Sequence, residues 1–345
     1  MRIAIRVDSS FQIGTGHVAR CLALAEELCQ KGAEPEFICR DLPGNIASLA
    51  VRKGFPVHFL KTDSPEECRD LLQKANKRFH GLVMDHYQLD ARYETPLRPF
   101  VNKLLIIDDL ANRSHIGDVL VDPNFGDANR SRYSQLVPKE CQLLMGPGYA
   151  ILRKEFETAR KQAEDIRSLA KPIENILVFF GGVDLTDETS KTLDVFEQLE
   201  QNGSPARKIH VVLGASNPRK DAIQKRLYGR PGYQCSVQVE NMAELMVSMD
   251  LSIGAGGTAS WERLCLGLPS LVISVADNQT QACIDLDRAG YLVYLGTSAD
   301  VSRSILASTI VQHIARPEKI FECGRKGMQL VDGLGCRKVA SAIIE

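Results

Sequence analysis

Two α/β domains in tandem are the fold class this chain predicts, and three observations predict it. Its 345 residues exceed what one ordinary core holds, so two domains are expected. Short apolar runs alternate with stretches of helical periodicity, which is the pattern of a parallel sheet wrapped by helices. Glycine turns follow apolar runs in both halves, at Gly14-Thr15-Gly16 and at Gly254-Ala255-Gly256-Gly257, where open α/β sheets keep their ligands. The expectation is two Rossmann-like domains facing across a cleft.

In chain order, strands are expected at 2–8, 35–39, 56–60, 81–85, 103–107, 118–122 and 141–145, with amphipathic stretches between most of them. A charged helix over about 152–169 ends near Lys171-Pro172 and reads as the interdomain connection. The second half repeats the pattern. Strands are expected near 174–180, 208–213, 235–239, 250–253, 270–274 and 291–295, and helices near 187–201, 217–228, 242–248, 258–267, 278–289 and 301–316. A last helix falls at about 335–344. The expected division is therefore 1–160 for the first domain and 161–345 for the second. No heptad, short-period repeat or low-complexity tract interrupts it.

Composition narrows the partners. Lys and Arg total 42 against 43 Asp and Glu, a net charge of −1, which disfavours nucleic acid or an anionic membrane surface and favours a small ligand. The 10 cysteines are scattered with no CxxC pair or metal-type spacing, as expected of buried small side chains in a reducing compartment. No basic-then-apolar leader opens the chain, and no run reaches the roughly 18 apolar residues of a membrane span. A cytoplasmic protein is expected.

His17 follows the first glycine turn at a helix start. There the positive end of the helix dipole, roughly half a unit charge, favours a neutral, proton-accepting ring. That suits a general base; the alternative is a histidine that packs the turn. The full GxGxxG fingerprint is absent, because Ala19 and Arg20 occupy its last stretch, and so is GxxxxGK[ST]. NAD and P-loop nucleotide hydrolysis are disfavoured. Gly181-Gly182 and Gly254 to Thr258 let backbone amides approach an anion, with Thr258 and Ser260 as hydroxyl donors, although ordinary strand-to-helix turns look the same. Glu262, one turn on, suits ribose hydroxyls or simply the helix dipole, and Asp277-Asn278-Gln279 open another helix as site residues or as its N-cap. Asp85-His86-Tyr87 and Asp108-Asp109 close two strands of the first half. Adjacent acids point opposite ways in extended chain, so no metal is expected.

The segment Arg6-Val7-Asp8-Ser9-Ser10 through Ile13-Gly14-Thr15-Gly16-His17, with Arg20, resembles the start of the UDP-2,4-diacetamido-2,4,6-trideoxy-β-L-altropyranose hydrolases of pseudaminic acid biosynthesis, relatives of the MurG-like glycosyltransferases. The likeness continues in order through Asp85-His86-Tyr87, Asp108-Asp109, Tyr149 to Phe156, Gly181-Gly182-Val183-Asp184 and Asn278-Gln279. It implies a GT-B fold with UDP on the second domain and the sugar presented to the first. His17 is then the implied base that activates water, Asn278 positions substrate or water, and Tyr87 contacts the sugar. Gly182, Gly257 and Thr258 are implied to line the diphosphate site and Glu262 to bind ribose, with Asp8, Gly14, Gly16, Arg20 and Gln279 also on the substrate. The chain departs from the pattern at Val183, where a hydroxylated residue is often found, so no side-chain phosphate contact is expected there.

The implied reaction releases UDP and free 2,4-diacetamido-2,4,6-trideoxy-L-altropyranose with inversion, without cofactor or metal. UDP is a good leaving group once loop amides hold its charge, so one base suffices. The rival is a UDP-sugar-dependent glycosyltransferase of the same fold, which delivers the sugar to an acceptor instead of water. A binding module without turnover is a third reading.

Overall fold

The apolar runs are continuous rather than alternating, which suits strands covered on both faces. The computed structural model, which describes residues 1–75, 78–126 and 129–345, pairs them into two all-parallel sheets. Each expected strand is found within a few residues of its place.

Packing divides the chain into two units, Met1–Arg153 with Gly333–Glu345, and Lys154–Asp332. In the first, β1 (Arg2–Val7), α1 (Gly16–Gln30), β2 (Glu34–Arg40), α2 (Ser48–Arg52), β3 (Val57–Leu60), α3 (Pro65–Lys74), β4 (Phe79–Asp85), α4 (Ala91–Glu94), β5 (Val101–Ile107), β6 (Val119–Asp122), α5 (Asn129–Arg132) and β7 (Gln142–Met145) follow in order. The sheet order is β3-β2-β1-β4-β5-β6-β7. One face buries Ile3, Ile5 and Val7 against Val18, Cys21 and Leu24 of α1, and the other buries Ala4, Leu82 and Met84 against Leu72 and Tyr93.

The second unit runs α6 (Lys154–Arg167), β8 (Asn175–Phe179), α7 (Glu188–Gln201), β9 (Lys208–Leu213), α8 (Lys220–Leu227), β10 (Tyr233–Val237), α9 (Met242–Ser248), β11 (Leu251–Ala255), α10 (Thr258–Cys265), β12 (Ser270–Ser274), α11 (Asp277–Arg288), β13 (Val293–Thr297), α12 (Arg303–Ala315) and α13 (Glu318–Leu330). Its sheet order is β10-β9-β8-β11-β12-β13. The helix α13 was not among the expected elements. Pro317 at its start and two glycines within it mask its periodicity, yet Gly324 is what lets it close on the turn after α10, where a Cβ would lie 2.3 Å from the Gly267 carbonyl oxygen.

The packing boundary falls at 153/154, beside the expected 160/161, and the last helix packs with the first unit. The reasons are specific. On α6, Phe156 is fully buried, Arg160 donates to the carbonyls of Cys265, Met328 and Val331, and Arg167 donates to those of Met246 and Met249. The helix α14 (Gly335–Ile344) buries Val339 and Ile343 in the first core, and Lys31 and His80 bond to Ser341 and the Ile344 carbonyl. None of the described helices is long and apolar enough to cross a membrane.

Candidate active site

Each sheet reverses its winding once, between β1 and β4 in the first unit and between β8 and β11 in the second. At such a point the connections leave in opposite directions and open a crevice beyond the strand ends. The sequence placed its strongest motifs after β1 and after β11.

Beyond β1, Ser10 ties the turn, its hydroxyl accepting from Gln12 and Ile13 and its carbonyl from Gly14. Gly14 holds φ +83°, a left-handed conformation that suits glycine. Gly16 opens α1 and His17 follows in its first turn, buried. Its Nδ1 lies 2.6 Å from Oδ1 of Asp85, the last residue of β4. Arg20, one turn along α1, clamps the same carboxylate with Nε on Oδ2 and Nη2 on Oδ1, both at 2.6 Å. Burial alone pushes the Asp85 carboxyl up, but Arg20 and then His17 outweigh it and hold the group well below the usual carboxylate range. An ionised carboxylate only accepts, so the hydrogen on Nδ1 points to Asp85 and Nε2 is the nitrogen left to exchange a proton. The Arg20 nitrogen 3.1 Å from Nδ1 is a second donor there and makes no bond with it. Tyr87 sets its ring edge-on to His17 at 4.4 Å and donates to Asp109 at 3.3 Å. Burial and then the Asp109 charge push its phenol up, so it stays protonated.

Asp8 and Arg20 were expected on the substrate, and their side chains bond to groups within the unit. Arg6 donates to both oxygens of Asp8, Arg40 donates to them through its backbone N–H and Nε, and His86 Nε2 lies 3.2 Å away. Asp8, Asp63 and His86 bring ligand-type atoms within 4.8 Å of one another, but Arg6 and Arg40 bridge both acids, so the lone pairs a cation needs face guanidinium. Further along the rim, Tyr133 donates to the carboxylate of Asp108 and lies 3.3 Å from that of Asp122. Burial pushes Asp122 up to about 6, with Asp109 and Asp108 adding to the rise.

The second rim is built from backbone. Gly181-Gly182 follow β8, and Gly254 pairs with Phe179 so closely that a Cβ would lie 2.3 Å from the Phe179 carbonyl oxygen. Gly257 holds φ +77° and caps α10, whose first residue is Thr258. That helix has no side-chain cap and no acid in its first turn. Of its first-turn amides, that of Ser260 donates to the Gly257 carbonyl at 2.9 Å, and the helix dipole is positive at this end. By contrast α7, after the other glycine turn, is capped by Asp184, which accepts from Glu188 and Thr189 at 3.0 Å, and Val183 beside it is buried. Gln279 reaches over the loop: its Oε1 accepts from Val275, and its Nε2 lies 3.5 Å from where a Gly257 Cβ would be. Glu262 is half-buried on α10, and Asn278 is exposed in the first turn of α11, whose N-cap position is Ala276 rather than either acid-amide neighbour.

The structure thus brings Gly14, Gly16, His17, Arg20 and Tyr87 together in the first unit, and Gly182, Gly257, Thr258, Glu262, Asn278 and Gln279 on the rim of the second. Sequence reasoning missed Asp85 as the partner of His17. It also missed Arg263, which is buried under the glycine loop with Nη2 donating to the Ala255 carbonyl at 2.6 Å and the Ser260 hydroxyl at 3.0 Å. Burial lowers its guanidinium to about 10, so it stays charged at neutral pH. The signal for Asp85 was the parallel order itself, which sets the end of β4 beside β1. The signal for Arg263 was a cation between Trp261 and Leu264, which are both buried, on the helix that opens from the glycine loop.

No family model matches the chain. In sequence it is 28% identical over 294 residues to the UDP-2,4-diacetamido-2,4,6-trideoxy-beta-L-altropyranose hydrolase of Campylobacter jejuni, covering 85% of this chain and 98% of that protein. It is 25% identical over 345 residues to the spore coat polysaccharide biosynthesis protein SpsG of Bacillus subtilis, covering 99% of this chain and 98% of that one. In structure it matches MurG of Acinetobacter baumannii with a TM-score of 0.67 at 14% identity, covering 99% of each chain. The fold is GT-B, and the resemblance seen in the motifs extends along nearly the whole chain.

Proposed function

We propose that this chain hydrolyses a UDP-linked 2,4-diacetamido-2,4,6-trideoxy sugar, as the name of its Campylobacter jejuni relative says of that protein, releasing UDP and the free sugar with inversion. The observation that carries the reading is the 2.6 Å contact of His17 Nδ1 with an Asp85 locked in its ionised form by Arg20. It leaves Nε2 as a base of fixed tautomer, which water needs and a mere binding module does not. The base belongs to the first domain and the diphosphate to the second.

In the proposed step, His17 Nε2 takes a proton from water as the water oxygen bonds to the anomeric carbon on the face opposite UDP. The anomeric C–O bond breaks and its electron pair leaves with the diphosphate. The loop after β11 and the start of α10 answer that charge, which removes the need for a strong general acid. The imidazolium formed on His17 is stabilised by the Asp85 carboxylate. Gln279 and Thr258 orient the diphosphate end, Glu262 takes ribose hydroxyls, and Asn278 and Tyr87 position the sugar or the water.

The test is incubation of the purified protein with UDP-2,4-diacetamido-2,4,6-trideoxy-β-L-altropyranose in EDTA and without acceptor, followed by NMR. Equal release of UDP and free sugar, with the inverted anomer appearing first, supports hydrolysis. Turnover that starts only when an acceptor is added makes the protein a glycosyltransferase, and binding without turnover makes it a binding module.

A further inference from the structure

Buried guanidiniums are normally answered by a carboxylate or by a helix C-terminus. Arg6 and Arg20 have Asp8 and Asp85. Arg167 donates to carbonyls at the C-terminal end of α9, with the charge of Asp250 nearby. Arg263 has neither. It is 1% exposed, and its Nε and Nη1 find no acceptor among the described residues. Its two bonds, to Ala255 and Ser260, are to neutral oxygens beside the N-terminus of α10, so one positive end lies beside another. The glycine at 254 makes room for it, because a Cβ there would lie 2.9 Å from Nη1.

We propose that Arg263 is the counter-charge of the anion bound on this glycine loop. It is a positioning residue that acts through the loop, without touching the ligand, and makes the site select a nucleoside diphosphate over a neutral nucleoside. The inference rests on the reading that this rim takes UDP. Two donors brace the loop by the Ala255 carbonyl and the Ser260 hydroxyl. The charge completes an electrostatic site whose negative half arrives with the ligand. In the low-dielectric space under the loop its field falls off far less than in water.

The experiment compares UDP with uridine by calorimetry in wild type, Arg263→Met and Arg263→Lys. Arg263→Met is expected to weaken UDP about 10- to 100-fold and to leave uridine nearly unchanged, in keeping with loss of a charge-assisted interaction. Arg263→Lys sharpens the test and carries it where the Met variant does not fold. A buried lysine without a carboxylate titrates below its usual range, so UDP affinity of this variant is expected to fall between about pH 7 and 8.5 and binding to take up a proton. The wild type stays flat over that interval. Equal loss of UDP and uridine in Arg263→Met, or a Lys variant with wild-type pH behaviour, overturns the assignment and leaves a packing role. A wild type that binds uridine and UDP equally overturns it as well, and one that binds neither overturns the functional reading with it.

Discussion

The two reversal points of this molecule occupy equivalent places in their sheets and carry opposite kinds of chemistry. At β1/β4 the strand ends present titratable side chains that neutralise one another: His17 and Arg20 on Asp85, Arg6 and Arg40 on Asp8. At β8/β11 they present glycines, a helix without a side-chain cap and one cation with no carboxylate bonded to it. The scaffold places both rims by the same rule, and on the proposed reading local sequence decides whether a rim moves protons or holds charge. A rim proposed for proton transfer fixes its charges in advance, so that one ring nitrogen of His17 stays open. A rim proposed for an anion leaves its cation without a bonded carboxylate until the ligand arrives.

Breaking the first rim gives the largest expected effects. His17→Asn is expected to lower kcat by about 10²- to 10⁴-fold while UDP affinity stays at the wild-type value, measured by single-turnover rates and calorimetry. A full rate in a folded His17→Asn protein removes the base from the mechanism. Asp85→Asn is expected to cost a similar factor, because an amide no longer fixes the tautomer and buried Arg20 keeps only its 3.5 Å pairing with Asp109, which also destabilises the fold by about 3 kcal/mol. The pH sign follows from the depressed carboxyl. Its stabilisation is present above the unfolded value, about 4, and is lost as pH falls toward the folded one, so urea midpoints of wild type and Asp85→Asn converge in acid.

The strand positions along the chain and the two glycine turns were legible because period, turn residues and length all act locally. His17 was legible for the same reason, since strand, turn and helix start are contiguous in sequence. Its partner was not: Asp85 lies 68 residues away and becomes relevant only once β4 pairs with β1. The partners of Asp8 and Arg20 were hidden in the same way where they come from other strands, as Arg40 of β2 and Asp85 of β4 do. The boundary at 153/154 was hidden by the exposed, charged face of α6, while Phe156, Arg160 and Arg167 on its other face commit it to the second unit. The helix α13 was hidden by the glycines that let it pack.

Closing the second rim ranks next. Gly254→Ala puts a methyl 2.3 Å from the Phe179 carbonyl oxygen and 2.9 Å from Arg263, and neither the strand nor the buried guanidinium has room to yield. A loss of about 2–4 kcal/mol by chemical denaturation is expected, with UDP affinity falling further than uridine affinity. An unaffected stability shows that β8 and β11 separate freely at their ends and removes the rigid cradle from the comparison.

Asp122 measures how much unrelieved charge the first rim itself holds. Its folded value of about 6 lies above the ordinary 3.8, so the native state binds the proton more tightly than the unfolded chain. The contribution of Asp122 to stability is therefore lowest above about pH 6 and recovers as pH falls from about 6 to about 4. Asp122→Asn is expected to stabilise the protein at pH 7 by up to about 3 kcal/mol, with the gain vanishing near pH 4 in urea titrations. A gain that persists in acid means packing rather than ionisation is responsible.

The smallest effect is expected at Tyr87. Phe keeps the edge-on contact with His17 and removes only the hydroxyl that donates to Asp109 at 3.3 Å. Burial and the Asp109 charge keep that phenol protonated, so it serves as a donor and not as a base. Tyr87→Phe should therefore raise KM about 2- to 10-fold with kcat nearly unchanged, as loss of one hydrogen-bonding hydroxyl in a bound state predicts. A kcat that drops with KM constant moves the hydroxyl into the transition state. In that case Asp109, Tyr87 and His17 act as one proton-handling unit, and the first rim holds more of the chemistry than a single base.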